Sequence, residues 1–203
     1  MSVMLRYHFC QPYLTLFYKP FIFGRFSAGA LRAMPWSIEL TQDAGASTRL
    51  VDRSGLPLRE SVGTTGERSV WVGLDETSPW LVQGTVAIED RRFYRHHGID
   101  GVGVVRAALG NLAAGEVESG ASTLTMQLAR ILAEHPRTVG GKVRQAVDAV
   151  RLERVASKDI VLEQYLNRAP YGAGAIGVEA ASQRTFGKAS RHLSLAEAGC
   201  PAA

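Results

Sequence analysis

Apolar residues recur at helical spacing throughout the chain from Ser78 onward, and this periodicity constrains the fold more than any other feature. Ser78 and Pro79 offer an N-cap hydroxyl and a proline at the first helical position. Beyond them, apolar positions three and four residues apart predict amphipathic helices. The predicted helices cover residues 78–92, 101–114, 122–134, 139–156, 157–167 and 178–186, with a further helix opened by Ser194. This part of the chain is therefore predicted to be mainly α.

The apolar positions lie on one side of each of the first four predicted helices. Helix stop signals agree with these bounds, because Gly115 and Gly187 follow the second and sixth helices and Pro170 follows the fifth. In chain order, the apolar sides carry Trp80, Leu81, Thr85 and Ile88; Val102, Val105, Leu109 and Leu112; Leu124, Leu128, Ile131 and Leu132; and Val139, Val143, Val147 and Val150.

The region before the helices, residues 37–77, has the pattern of extended chain. Polar and apolar side chains alternate over residues 49–53, Ser54 and Gly55 supply a turn, and a second run starts at Leu56. This arrangement predicts a β-hairpin. The expected fold class is therefore mainly α, with a short β-hairpin region before the helical domain.

The chain divides into three regions by composition: a tail over residues 1–36, the extended region over residues 37–77, and a helical domain over residues 78–203. The helix opened by Ser194 meets the end of the chain after about one turn, which is too short to be stable alone. We therefore expect the helical domain to be truncated at its C-terminus.

The net charge of +4 comes from the tail, which holds four basic and no acidic residues, while the remainder holds 19 of each. The tail also carries nine of the sixteen aromatic residues. This composition suits a segment at a membrane surface, although Lys19, Pro20 and Arg25 interrupt any run long enough to span a bilayer. An irregular extension is the alternative. The neutral remainder makes a broadly basic nucleic-acid binder a poor fit.

The densest polar cluster covers residues 89–98 and begins with Glu89 and Asp90. Both carboxylates lie near the predicted C-terminus of the first helix, where the helix dipole disfavours an anion by a few tenths to about 1 kcal/mol. A carboxylate in such a place, flanked by cations, is a candidate general acid or base. A charged, solvated helix end is the alternative.

Two further clusters suit the binding of an anion. Residues 119–130 place small and hydroxyl side chains before a helix start, where free backbone N–H groups suit phosphate; an ordinary capped helix is the alternative. Basic side chains then gather around the next helix start, where cations do not stabilise the helix itself. They could hold a pyrophosphate or form a solvated basic face. These basic residues are Arg130, Arg137, Lys142 and Arg144.

Motifs of several other catalytic classes are absent from the sequence. It contains no HExxH, CxxC or GxSxG, no GxGxxG after a strand, and no serine that begins Ser-x-x-Lys. Cys10 and Cys200 lie at the two ends of the chain and form neither a disulfide framework nor a metal site. No metal site is therefore predicted from the residues.

In their order and spacing, these clusters resemble the motifs of the peptidoglycan glycosyltransferase family (family 51). Its members are the lipid II-polymerising domains of class A penicillin-binding proteins and the monofunctional transglycosylases. Residues 89–98 resemble the first motif, residues 120–130 the second, residues 157–172 the fourth, and residues 193–198 the start of the fifth. The resemblance covers about residues 46–199.

The resemblance implies a lysozyme-like fold with a membrane-facing subdomain, acting at the outer, periplasmic face of the cytoplasmic membrane. It implies an inverting reaction in which a sugar 4-hydroxyl attacks C1 of a lipid-pyrophosphoryl glycan. A β-1,4 strand is extended and undecaprenyl pyrophosphate is released. The implied partners are lipid II, the growing glycan strand, the membrane and cell-wall synthesis proteins, and not nucleic acid. No cofactor is required, and assistance by a magnesium or manganese ion is left open.

The resemblance also assigns roles to individual residues. Glu89 matches the general base that removes the proton from the attacking hydroxyl. Gln145 stands where many members carry a second glutamate, and a neutral amide cannot act as a base. The positions that match substrate contacts are Asp90, Phe93, His96, Ser122, Thr123, Gln127, Arg130, Arg137, Lys142, Gln145 and Asn167.

Two other functions remain open from the sequence. A lysozyme-like hydrolase would use Glu89 as a general acid on lipid-free glycan, but such a site would not need the cations at Arg130, Arg137 and Lys142. A non-catalytic remnant would bind lipid-linked substrate or partner proteins without turnover.

Overall fold

A computed structural model describes residues 38, 40, 48–53, 57–61, 68–114, 122–172 and 174–199. Several features interpreted from the sequence lie outside these residues. They are the basic, aromatic tail over residues 1–36, the predicted hairpin turn at Ser54 and Gly55, the small-residue loop over residues 119–121, and both cysteines.

Seven helices make up most of the described part of the chain, which confirms the prediction of a mainly α, lysozyme-like domain. The second and sixth of them have the predicted bounds, and the others differ by one to three residues at an end. The helices are α1 Pro79–Glu89, α2 Gly101–Ala114, α3 Leu124–Leu132, α4 Val139–Val155, α5 Lys158–Arg168, α6 Val178–Phe186 and α7 Leu195–Ala198. Short 3₁₀ turns cover Leu74–Glu76, Phe93–Arg95 and Ser190–His192.

Two small sheets accompany the helices. Strands β1 (Thr48–Val51) and β2 (Pro57–Ser61) pair antiparallel, as the hairpin prediction requires. Strand β3 (Arg68–Ser69) pairs in parallel with β4 (Ala175–Ile176), a pairing that sequence periodicity did not indicate. This second pair joins the segment before α1 to the loop before α6. The division of the chain at residues 36 and 77 stays a prediction.

Hydroxyl side chains cap the three central helices. Thr123, Thr138 and Ser157 precede α3, α4 and α5, and each side-chain oxygen accepts a hydrogen bond from a backbone N–H three residues later. At α7, Glu197 accepts hydrogen bonds from the backbone N–H and the hydroxyl of Ser194. These contacts satisfy N–H groups that have no partner inside the helix.

The predicted side-chain cap of α1 is wrong. Ser78 is the N-cap residue and Pro79 occupies the first turn, but the Ser78 hydroxyl donates to the carbonyl oxygen of Leu193 at 2.9 Å. Ser78 is buried, so its hydroxyl must find a partner inside the protein, and it finds one across the fold. Ser78 thus links the start of α1 to the segment before α7.

The core lies between α3, α4 and α5. All three helices contribute fully buried leucines: Leu124 and Leu128 from α3, Leu152 from α4, and Leu162 and Leu166 from α5. Helix α3 contacts both neighbours along its length and is the most enclosed of the three. Any side chain on α3 therefore has a fixed position relative to the rest of the domain.

Helix α1 is shorter than predicted and only partly buried. It ends at Glu89 rather than Arg92, because Asp90 leaves the helical conformation and turns its carboxylate into the protein. On its apolar side Leu81 is buried, whereas Trp80 and Ile88 are exposed.

The apolar side of α2 is exposed along its whole length. Val102, Val105, Leu109 and Leu112 are each between 49% and 69% exposed among the described residues. Hydrophobic periodicity thus predicted the bounds of this helix, but the described core does not cover its apolar side. Within the part of the chain that the structure describes, no helix combines the length and the apolar character needed to cross a bilayer.

The depth of the core predicts a contrast between two leucines. Leu128→Ala, which empties a fully buried position in α3, is expected to lower the free energy of unfolding by about 3 kcal/mol. Leu112→Ala, at an exposed position of α2, is expected to change it by less than about 0.5 kcal/mol. Urea denaturation of both variants measures the difference, and equal losses would contradict the described core.

Candidate active site

Glu89 is the last residue of α1, and its side chain is held by a neighbouring helix. The Gln127 side-chain Nε2 of α3 donates a hydrogen bond to Glu89 Oε2 at 2.9 Å. The Tyr165 hydroxyl of α5 in turn donates to Gln127 Oε1 at 3.2 Å. Three helices therefore meet at this carboxylate, which lies at the helix end where the sequence predicts it.

Tyr165 is a member of this chain of hydrogen bonds that sequence reasoning did not assign to the site. Burial, and to a lesser extent the negative charge of Glu89, raise the pKa of the Tyr165 phenol to about 12, against an opposing effect of Arg130. The phenol therefore stays protonated and remains a hydrogen-bond donor near neutral pH. A tyrosine within a helical apolar pattern gives no sequence signal for this role, because it is indistinguishable from a core residue.

Asp90, next in the chain, points into the protein instead of towards the surface. Its carboxylate contacts His96 Nε2 at 2.9 and 3.1 Å and accepts a hydrogen bond from the backbone N–H of Leu124 at 3.1 Å. Leu124 is the first residue of α3, so the carboxylate stands at a helix N-terminus, where an anion is stabilising. Asp90 thereby joins the end of α1 to the start of α3 and sets the distance between Glu89 and Gln127.

The turn that follows Asp90 is fixed by close packing. Phe93 is fully buried, with the Lys158 ammonium 4.3 Å from its ring centroid. The Thr123 hydroxyl donates to the carbonyl oxygen of Gly98 at 2.6 Å. Gly98 has a φ of +87°, and a Cβ atom there would lie 2.7 Å from the backbone of Ala149 in α4, so only glycine fits.

Gln145 and Asn167 are also internal. Gln145 Nε2 donates to the carbonyl oxygen of Met126 at 2.7 Å, which ties α4 to α3. The Asn167 amide accepts from the N–H of Val72 at 2.9 Å and donates to its carbonyl oxygen at 2.8 Å, as a neighbouring strand would. Both amides therefore hold segments of the fold together.

Half of the twelve residues that the sequence assigns to the site are buried within the protein. Their contacts hold together the helices and turns that form the site. Direct contact between these residues and a substrate stays a prediction. They are Asp90, Phe93, His96, Thr123, Gln145 and Asn167.

The cationic side of the site lies around the start of α4. Lys142 Nζ donates to Ser122 Oγ at 2.7 Å. Partial burial of the ammonium group, and then the neighbouring Arg130, lower the pKa of Lys142 below its ordinary value. The charge of Arg130 also opposes the rise in the pKa of Tyr165, the residue that hydrogen-bonds to Gln127. Arg137 is exposed in the turn between α3 and α4. The positive charges of Arg130 and Lys142 repel each other, and this repulsion favours an anion between them.

A buried histidine fixes that turn, and sequence reasoning did not single it out for this purpose. His135 Nε2 contacts Asp148 Oδ2 at 3.0 Å, and Nδ1 lies 2.8 Å from the carbonyl oxygen of Ala133. Arg151 is 3.6 Å from the other oxygen of Asp148. The segment that carries Arg137 is therefore tied to α4 by an ion-pair network.

A cavity of about 130 Å³ opens beside Glu89, lined mostly by apolar side chains of α1, α6 and α7. Glu197 contributes a second carboxylate to its wall. Hydrogen bonds from Lys188 and Ser194 lower the pKa of Glu197 to about 2, and the Lys188 ammonium lies 2.6 Å away. Glu197 is thus held as an anion by its own neighbours, which leaves Glu89 as the better candidate for proton transfer at this cavity.

Among the described residues, no group of three or more histidine, cysteine, aspartate or glutamate side chains is placed to hold a metal ion.

Comparison with known proteins gives a consistent match. The model of a family described as Transglycosylase matches residues 56–202. Penicillin-binding protein 1C of Escherichia coli (strain K12) is 38% identical over 186 residues, covering 92% of this chain and 24% of the relative. Penicillin-binding protein 2D of Bacillus subtilis (strain 168) is 46% identical over 153 residues, covering 75% and 22%. The chain spans about a quarter of the length of these relatives.

The adjacent carboxylates at positions 89 and 90 should differ in their effect on stability. An amide at position 90 turns N–H groups towards the donors of His96 or Leu124, so Asp90→Asn is expected to lower the free energy of unfolding by about 2 kcal/mol. Glu89→Gln, the matched change at a less buried position, is expected to change it by less than about 0.5 kcal/mol. Chemical denaturation followed by circular dichroism compares the two, and a stable Asp90→Asn variant would contradict the structural role of Asp90.

Proposed function

The chain belongs to the transglycosylase family, and from this premise we propose that it is a peptidoglycan glycosyltransferase that polymerises lipid II. In the proposed reaction the 4-hydroxyl of an acceptor sugar attacks C1 of a lipid-pyrophosphoryl glycan, and the bond from C1 to the phosphate oxygen breaks with inversion. The hydroxyl proton passes to a base, and the leaving undecaprenyl pyrophosphate takes the bonding electron pair. The product is a glycan strand lengthened through a β-1,4 bond.

The observation that carries the proposal is the position of Glu89 at the wall of a cavity, hydrogen-bonded to Gln127, which lies about one helical turn from Arg130 of the cationic cluster. Gln127 holds Oε2 of this carboxylate, which fixes the side chain while Oε1 has no hydrogen-bond partner among the described residues. A fixed carboxylate with one available oxygen suits removal of a proton from an attacking hydroxyl.

The cations supply the second half of the mechanism. Negative charge develops on the diphosphate as the bond to C1 breaks, and placed cations stabilise that charge. Arg130 and Lys142 repel each other in the free protein, and a bound diphosphate would relieve this repulsion. A glycan hydrolase releases no diphosphate and has no use for such a cluster, so the cluster favours the transferase over the hydrolase.

We place the reaction at the outer face of the cytoplasmic membrane, where a lipid-linked donor must be met. The exposed apolar side of α2 supports this placement, as does the basic, aromatic composition of residues 1–36. The growing glycan strand and cell-wall synthesis proteins are the partners that follow from the proposal.

Removal of the base tests the proposal. Glu89→Gln keeps the shape of the side chain but cannot accept a proton, so polymer formation from labelled lipid II is expected to fall at least roughly 100-fold. Glu76→Gln, the same change at an exposed position, should retain the wild-type rate. Gel analysis of the products, with thermal melts to confirm folding, gives the answer; a Glu89→Gln variant that polymerises at the wild-type rate would refute the assignment.

The lowered pKa of Lys142 predicts a pH dependence for anion binding. The ammonium attracts a diphosphate only while protonated, so affinity should weaken as pH rises, and at a lower pH than for an ordinary lysine. Lys142→Arg carries a charge that persists above pH 12 and should remove this weakening. Calorimetric titration with inorganic pyrophosphate between pH 7 and pH 10 measures it. Identical pH profiles for the two proteins would exclude Lys142 from the anion site.

A further inference from the structure

The proposed mechanism leaves the hydroxyl of Tyr165 without a role, although this group lies in the same chain of hydrogen bonds as the base. Tyr165 belongs to α5, Gln127 to α3 and Glu89 to the end of α1. The contacts between them run in one line, from the phenol to the carboxamide to the carboxylate. Tyr165 also lines the cavity beside Glu89, and the hydrogen bond that the structure gives its hydroxyl is the one to Gln127.

The donor and acceptor groups fix the direction of each hydrogen bond between Tyr165, Gln127 and Glu89. A carboxylate only accepts, so the atom of Gln127 that faces Glu89 must be the nitrogen. The carboxamide oxygen therefore faces Tyr165, and the phenol must donate to it. The alternative orientation, turned by half a rotation about the last side-chain bond, would set the carboxamide oxygen against the carboxylate and the amide nitrogen against the phenol hydroxyl.

We propose that Tyr165 is a positioning residue for the general base: by donating to Gln127 Oε1, its hydroxyl anchors the carboxamide in the orientation that the carboxylate of Glu89 requires. The amide then holds one carboxylate oxygen and turns the other towards the cavity. Without the hydroxyl, the carboxamide loses one of its two anchors and holds Glu89 less firmly in the position in which it receives the proton.

The surroundings of Tyr165 suit a fixed donor. Its side chain is 8% exposed and packs in the core, so the ring has one position. Burial raises the pKa of the phenol to about 12, so the hydroxyl keeps its proton through the neutral range. A rigid donor that keeps its proton can hold the amide in this one orientation.

The hydrogen bond can be tested without any activity. In a ¹⁵N-labelled chain, the two side-chain N–H signals of Gln127 are assigned by their loss in Gln127→Leu. Tyr165→Phe removes one oxygen atom and should move both signals towards the positions of a free glutamine side chain and speed their exchange with solvent. Tyr94→Phe is the matched control, because the Tyr94 hydroxyl contacts Asp159 of α5 instead. Unchanged Gln127 signals in Tyr165→Phe would overturn the proposal.

The consequence for catalysis rests on the proposed function and is read from a double-mutant cycle. Tyr165→Phe should lower kcat roughly five- to tenfold, the effect of one hydrogen bond, and change KM less than about twofold. When Gln127 is already leucine, adding Tyr165→Phe should change kcat less than about 1.5-fold, because nothing remains for the hydroxyl to orient. Independent, multiplicative losses would show that Tyr165 does not act through Gln127 and would overturn the proposal.

The two tests separate the possible failures. Absence of polymer with the wild-type chain contradicts the proposed function, while the Gln127 signals still decide the role of Tyr165. If Tyr165→Phe does not fold, Gln127→Leu removes the same hydrogen bond by removing the acceptor of the Tyr165 hydroxyl. The hydroxyl proton of Tyr165, protected from exchange in the wild type, should then disappear from the spectrum of Gln127→Leu, and its persistence there would overturn the proposal.

Discussion

The carboxylate of Asp90 is the contact on which the geometry of the site depends. It ends α1, binds His96 and caps the first N–H of α3, so one buried anion fixes the relative position of two helices. Glu89 precedes it and Gln127 follows Leu124 by three residues, close to one helical turn. The contacts of Asp90 therefore bring Glu89 and Gln127 within hydrogen-bond distance of each other. Asp90 positions the proposed base but is not itself the base.

Helix α3 connects the two halves of the proposed chemistry. Gln127 and Arg130 are three residues apart and share one side of the helix. One of them holds the carboxylate, and the other extends the field of the cationic cluster towards Tyr165. Because the apolar side of α3 is buried between α4 and α5, both groups project from a rigid support. Helix α3 therefore fixes the relative positions of the group that holds the base and the group that stabilises the developing charge.

Sequence periodicity predicted the helices well, because spacing and caps are local; α2 and α6 have the predicted bounds. It could not show which side of α2 meets the core, since that depends on elements distant in the chain. The contact of Asp90 with Leu124 spans 34 residues, and that of Ser78 with Leu193 spans 115. The residues of the motifs were identified from their order, but their division into exposed groups and buried supports required the three-dimensional contacts. Tyr165 lies within the fourth motif, but nothing in the sequence indicated its contact with Gln127.

If one site joins a base to a cationic cluster that receives a diphosphate, strand extension and release of undecaprenyl pyrophosphate occur together. The most direct measurement is incubation of the purified chain with labelled lipid II in detergent, followed by analysis of both products. We expect a glycan polymer that a muramidase degrades, together with undecaprenyl pyrophosphate released in proportion to the bonds formed. Binding of lipid II without polymer, or cleavage of lipid-free glycan strands by the same chain, would contradict this expectation.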